Sequence, residues 1–350
     1  MLISTNHMRV HCSRILAALL LTTAMIGTSP HVVCAQTDSS AVGVLKAQAV
    51  TVTPLVKSSI GHQFLEAVPH LLRITTPRVV WIQKDPRKYL SNTDYNLLPD
   101  SAKTTFTKNE LDESFYYNTR YGTPLAFVRP LDLLGQAGLK SLSGAHIVDF
   151  GFGSIGQLRL MASIGANVTG IEVDKLLPIV YGDNSDVGAI PNIDPTSSRT
   201  GSIKTLYGSF PSDTSLANRI SPGLDAFISK NTLKRGYIHP EREVDPRMLV
   251  HLGVDDTTFV RTVYNLLKPG GFFMIYNLHP KLSSPDEKFI PWSDGRCPFD
   301  RALLEKIGFK ILAYDMDDTE FARTMGNAFG WAKDMNYDKD LFGMYTLMRK

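Results

Sequence analysis

Cysteine is scarce in this chain: three in 350 residues, at Cys12, Cys34 and Cys297. The first two fall in a segment that reads as a leader, which leaves one thiol and no internal disulfide, so the core must hold the fold by itself. There is no surplus of charge of one sign either. Lys and Arg number 37 against 34 Asp and Glu, a formal net charge of +3, and no Lys/Arg cluster offers the surface on which nucleic-acid binding rests. No internal repeat is present. After the first 26 residues no apolar run reaches the roughly 20 residues that a membrane span needs. The histidines His62, His70, His146, His251 and His279 show no zinc-ligand spacing. Asp315, Asp317 and Asp318 fall at a strand end, where alternation separates neighbouring side chains, so they read as a solvated acidic edge and no metal site is expected.

What is there is enough apolar residue, 43% of the chain, to bury a sizeable core. At the N-terminus Arg9 and Arg14 precede the apolar run Ile15 to Ile26, and "TSPHVVCAQ" follows with small residues at Val33 and Ala35. This is the pattern of a secretory signal peptide over residues 1–35. The expectation is export, periplasmic or secreted, without stable membrane insertion after cleavage. A cytoplasmic location would follow if the segment is not a leader. Its loss removes two arginines and no acid, which takes the net charge from +3 to +1.

Residues 36–140 read as an N-terminal extension of mixed, largely helical character. A linker over 36–50 grades into structure, helical spacing runs from Leu55 to Leu72 with Pro69 to kink or end it, and "RVVWIQ" suits a short strand. From 141 to 350 strands alternate with helices. "HIVDF", "NVTGIEV", "SIKTLYG", "LDAFISK", the run after "LKPGG", "FKILAYD" and "FGMYTLMRK" suit strands, and the segments between them carry helical spacing. Such alternation predicts a mainly parallel sheet with helices on both faces, a doubly wound α/β domain.

The first turn of that domain carries chemistry. Gly151, Gly153 and Gly156 follow strand "HIVDF" directly and open a helix, where glycines let the backbone come close to a ligand. Glu172 ends the next strand, where an acid accepts hydrogen bonds from ribose hydroxyls. Taken alone, the glycines and the acid describe NAD binding as well as other nucleotide-type ligands.

The wider pattern resembles the class I S-adenosylmethionine-dependent methyltransferases. It is carried by "DFGFGSIG" with Asp149 ending the first strand, by Asp225 introducing the fourth, by Leu267 to Gly271 reading "LKPGG", and by "GF" at Gly308 and Phe309 before the sixth strand. Together these span about Tyr121 to Lys350. The resemblance implies a Rossmann-like, seven-stranded, mostly parallel sheet with an antiparallel C-terminal strand. It implies S-adenosyl-L-methionine as cofactor and methyl transfer to a small molecule. Asp149 would orient the amino end of the cofactor, Gly151, Gly153 and Gly156 would admit the backbone, Glu172 would take the ribose, and Ser209 and Asp225 would complete the contacts. Ser209 stands near the place of an acid that commonly contacts the adenine, with Asp213 a displaced candidate, and Ile155 stands where the third glycine often lies.

No triad is visible, and methyl transfer does not require one. Polar residues that could meet an acceptor crowd into "SKNTLKRGYIHPER", and Lys230, Tyr237 and His239 are the candidates, His239 as a base near neutral pH. Upstream, Tyr116, Tyr117 and Tyr121 suggest two packing aromatics and one lid residue. Two other classes stay open: a non-catalytic exported small-molecule-binding protein on the same fold, and an NAD-linked oxidoreductase.

Overall fold

The structure, a computed structural model, describes residues 38–350. The proposed leader, with Cys12 and Cys34, lies outside the described residues. Eight strands form the main sheet: β4 (His146–Phe150), β5 (Asn167–Glu172), β6 (Gly188–Ile190), β7 (Gly201–Tyr207), β8 (Leu224–Lys230), β9 (Leu267–His279), β10 (Lys310–Asp317) and β11 (Phe342–Arg349). Their order is β10-β11-β9-β8-β4-β5-β7-β6. The five strands from β9 to β7 run parallel, and β11 inserts antiparallel between β9 and β10. The fold is thus the expected Rossmann-like one, with one correction: the sheet has eight strands, not seven. The extra edge strand β6 pairs antiparallel with β7 through Ala189 opposite Ser202; three residues bounded by Gly188 and Pro191 carry too little pattern to be seen in sequence.

Alternation along the strands sorts side chains into two cores, one on each face, because successive residues of a strand point to opposite sides. Ile147, Ala226, Ile228, Met274 and Tyr276 join one cluster. Val148, Phe227, Phe273 and Ile275 join the other. The second is rich in aromatics: Phe150, Phe227 and Phe299 pack on Phe259, from the helix Asp256–Leu266, with ring centroids 5.4–6.5 Å apart, and Phe273 packs on Phe227 at 5.5 Å.

The segment expected to be a linker is instead a docked helix, Ala41–Val52, capped by the Ser40 hydroxyl, which accepts from Gly43 N. Val42, Leu45, Ala49 and Val52 bury its inner face. Gln48 Nε2 donates to Phe329 O at 3.2 Å and Thr51 Oγ1 to Ala328 O at 2.8 Å, fixing it to the end of the helix Thr319–Phe329. Tertiary burial, not intrinsic propensity, forms this helix. Leu55 to Leu72 breaks into Ser59–Glu66 and a 3-10 turn at Val68–His70, with Pro69 at the break.

The extension also holds an antiparallel three-stranded sheet, β2-β1-β3, from β1 (Arg78–Gln83), β2 (Lys88–Leu90) and β3 (Thr107–Leu111). Arg78 ties it to the main domain. Its guanidinium meets Asp183 and Asp186, 2.9 Å from Asp186 Oδ1, which also accepts from Tyr116 OH at 2.7 Å. No described helix is long and apolar enough to cross a membrane.

Candidate functional site

The chain moves outward from β4 through β5 to β7, then returns to lay β8 on the other side of β4. In an open α/β sheet that reversal leaves a crevice at the carboxyl ends of the two central strands. The main cavity, about 720 Å³, lies there. Its walls come from the turn after β4, the tips of β5 and β7, and the loop after β8, with the segment Tyr121–Pro124 and Phe127 over it.

The glycine turn opens with Gly151 N–H donating to Ile171 O at 2.8 Å. Gly151 (φ +76°) and Gly153 (φ +59°) are left-handed, a conformation that glycine adopts without the steric cost other residues meet. A Cβ on Gly151 would collide with the Thr232 side chain, and one on Gly153 would sit 2.8 Å from Tyr121 Cδ2. Both line the cavity. Gly156 does not. It starts the helix Gly156–Ala162, and a Cβ there would lie 2.7 Å from Pro124 Cβ. Among the expected cofactor contacts its role is therefore different: it lets the upstream segment pack on the helix.

Glu172 projects from the end of β5 into the cavity. Its Oε1 accepts from Val173 N at 2.8 Å and Asp174 N at 3.3 Å, and its Oε2 accepts from Gly153 N at 3.2 Å. The carboxyl is thus held in place by three backbone N–H groups, with lone pairs left for a ligand. Burial pushes its pKa up, and those N–H bonds oppose the shift. Asp149 lies behind the turn, fully buried. Gln157 Nε2 donates to its Oδ2 at 3.0 Å, while Oδ1 has no hydrogen-bond partner. Burial raises this carboxyl to about 7, against the pull of Gln157 and of the Lys230 charge.

Beyond β7, Ser209 lines the cavity where an acid was sought. Asp213 is half-buried and occupied elsewhere, accepting from Leu216 N at 3.1 Å as a helix cap. Asp225 is not brought to the site. It begins β8, whose other end is Lys230 five residues on, about 17 Å away at strand rise. There it accepts from His146 N at 2.8 Å and pairs with Lys268 of the "LKPGG" element, so it fastens the amino ends of the central strands, away from the cavity.

Lys230 and Tyr237 line the cavity; His239 does not. His239 ends the short helix Arg235–Ile238 and turns to Asp256, with Nε2 2.9 Å from Oδ2, and its side chain is 45% exposed. Lys230 is lowered to about 8 by burial, opposed by Asp149. Two groups there escaped sequence reasoning. Lys234, 4% exposed, lines the same wall and is lowered to about 7 by burial and by Lys230. Trp292, in the short 3-10 turn Pro291–Ser293, is the other. Gln157, which anchors Asp149, was also missed, although an amide in the first turn of "GQLRLMA" is the one polar break in that apolar stretch before Arg159.

The tyrosines divide as expected. Tyr116 and Tyr117 are fully buried, and Tyr121 covers the cavity. Arg120 Nη2 lies 2.6 Å from Asp174 Oδ2, Tyr121 OH donates to the same oxygen at 3.2 Å, and Thr119 Oγ1 donates to Gly153 O at 3.0 Å. This segment is thus tied both to the glycine turn and to the residues just after β5. The three aspartates near β10 have separate structural partners: Asp315 accepts from Cys297 N, Asp317 from Thr319, and Asp318 pairs with Arg129. Among the described residues no group of three or more metal-ligating side chains comes together.

No protein-family model matches the chain, and no curated protein matches it. Solved structures to which it is similar include the [4+2]-cyclase SpnF, at 18% identity and TM-score 0.37 over 63% of this chain and 80% of that one. A phosphoethanolamine N-methyltransferase 2 of Haemonchus contortus, bound to phosphomonomethylethanolamine and S-adenosylhomocysteine, is 15% identical with TM-score 0.39, over 70% of this chain and 62% of that one. An S-adenosylmethionine-dependent methyltransferase of Mesorhizobium loti is 16% identical with TM-score 0.35, over 62% and 96%. Strand order, rather than these likenesses, defines the fold described above.

Proposed function

We propose that the chain binds S-adenosylmethionine at the glycine turn and transfers its methyl group to a small molecule held beside Lys230. The observation that carries this is the set of complementary vacant valences around one cavity. A two-glycine cradle opens it, the Glu172 carboxyl is pinned at its edge, and the buried Asp149 Oδ1 behind the cradle has no partner in the protein. A buried polar atom left unsatisfied costs about 1–3 kcal/mol, and a cationic amino group is its natural complement.

Bound there, the cofactor supplies an electrophilic methyl on a sulfonium. The residues of the chain bind and orient. Glu172 would accept from the ribose hydroxyls, Asp149 would face the amino group, and Phe152 and Ser209 would border the base. Tyr121, latched to Asp174, would close the site against water. Lys230 and Tyr237 would meet the acceptor, and alignment of the two reactants would provide most of the acceleration. In the transfer one bond from carbon to sulfur breaks and one from carbon to the acceptor atom forms. Where the acceptor atom carries a proton, that proton leaves to solvent; an anionic acceptor atom has none to lose. Export belongs to the same proposal and rests on the composition of residues 1–35; N-terminal sequencing of the mature protein tests it.

A second reading, a binding protein without transfer, is favoured by Ser209 in the place of an acid and by Asp213 serving as a helix cap. Isothermal titration of the purified protein with S-adenosylmethionine, S-adenosylhomocysteine and NAD separates these readings. Micromolar binding of the first two, weakened in Glu172→Ala, supports the methyl-donor site, and a methyl-transfer screen then tests turnover. Binding of NAD alone, or of none of the three by folded protein, overturns it.

A further inference from the structure

Among the charged residues lining the cavity, one is acidic and three are basic. Glu172, the one acid, is already engaged by three backbone N–H groups on the cofactor side. Of the three bases, Arg247 at the mouth is neutralised by Asp245, with Nε 3.0 Å from both carboxylate oxygens. Lys234 donates to two carbonyls, Leu278 O at 2.6 Å and Trp292 O at 3.4 Å, which fix its ammonium without cancelling its charge. Lys230 makes neither a hydrogen bond nor an ion pair with any described residue, and it lines the cavity. Asp149, behind it on β4, reaches it only through charge. The rest of this wall is mixed, with Asn231, Thr232, Tyr237 and His251 polar and Met248, Leu249, Val250 and Trp292 largely apolar.

We propose that this half of the cavity recognises an organic carboxylate, with Lys230 as its direct partner and Lys234 as a second, fixed positive charge. The inference rests on the methyl-transfer reading of the site and specifies its acceptor. Two ammonium groups held near one another out of water destabilise each other's charge, and a bound anion removes that penalty for both. Lys234 spends two of its three N–H donors on carbonyls, so Lys230 alone has all its donors free, and one such ammonium suits the two oxygens of a carboxylate better than the larger oxygen set of a phosphate. An amine acceptor would add a third positive charge to the same wall. The apolar residues call for a hydrocarbon or aromatic body behind the carboxylate. Because an anion restores the protonated lysines, its binding takes up protons at neutral pH.

The test is calorimetry with benzoate, benzamide and benzylamine, on free protein and on protein saturated with S-adenosylhomocysteine, at pH 7.5 in two buffers of different ionisation heat. Benzoate is expected to bind at least tenfold more tightly than benzamide, with net proton uptake, and benzylamine not at all. Lys230→Met should abolish the preference, and Lys230→Arg should keep it. Equal affinity for benzoate and benzamide in wild-type protein overturns the proposal. So does a Lys230→Met variant that loses S-adenosylhomocysteine binding but keeps that of 5′-methylthioadenosine, because Lys230 would then hold the cofactor carboxylate. If S-adenosylhomocysteine fails to bind wild-type protein, the methyl-transfer reading falls, while the comparison on free protein still decides the anion preference.

Discussion

Replacing Glu172 with Gln separates the two tasks its carboxyl performs. In the wild type Oε1 and Oε2 together accept from Val173 N, Asp174 N and Gly153 N. Glutamine has one acceptor oxygen and one amide nitrogen, which donates. Keeping the oxygen toward Val173 and Asp174 preserves two bonds and turns the NH2 group against the Gly153 N–H, leaving that donor without a partner. An unsatisfied buried donor costs about 1–3 kcal/mol, which should appear as a lower melting temperature. The second task is the ligand. A hydrogen bond to a charged group contributes about 1.5–3 kcal/mol, so loss of one such bond to a ribose hydroxyl should weaken S-adenosylhomocysteine roughly 10- to 150-fold. Differential scanning calorimetry reads the first effect and titration calorimetry the second. A fall in melting temperature with no change in affinity would refute the ribose role and leave Glu172 as a brace for the glycine turn.

Asp149→Asn should raise the stability of the ligand-free protein near pH 8. A carboxyl whose folded pKa is raised to about 7 from a usual 3.8 gives stability that is fully present below 3.8 and lost as pH rises through 7, whereas Asn does not titrate. The gain over wild type should therefore grow between about pH 4 and pH 7 in melting experiments, while affinity for S-adenosylhomocysteine falls; a gain that does not change with pH would contradict the assignment. Gly156→Ala places a methyl against Pro124 and should cost about 1–3 kcal/mol in urea unfolding through overpacking, with the bound-state affinity of folded protein kept within a few-fold. Gly151→Ala adds left-handed strain of roughly 1–2 kcal/mol to its clash with Thr232, and should weaken cofactor binding as well. His239→Ala removes a half-exposed pair with Asp256 and should change stability by no more than about 1 kcal/mol and turnover by less than twofold; a loss of turnover tenfold or greater would return His239 to the site.

The sequence by itself determined the alternation of strand and helix from His146 onward, and with it the sheet, its antiparallel C-terminal strand and the position of the glycine turn. These are local matters: period-two burial, left-handed glycines and an acid at a strand end are written in neighbouring residues. Tertiary structure alone decided which polar residues share the cavity. Lys230 and Lys234 face it while His239, five residues after Lys234, turns away, because a short helix rotates the chain between them. Asp225 and Lys230 belong to one strand but to its opposite ends. Gln157 meets Asp149 across the short turn between β4 and the next helix, eight residues on, whereas Trp292 joins the cavity wall only because a distant segment folds onto the crevice. The helix Ala41–Val52 was illegible for a related reason: its mostly apolar segment is held by burial against the helix Thr319–Phe329, a contact across 281 residues of chain that no local pattern encodes.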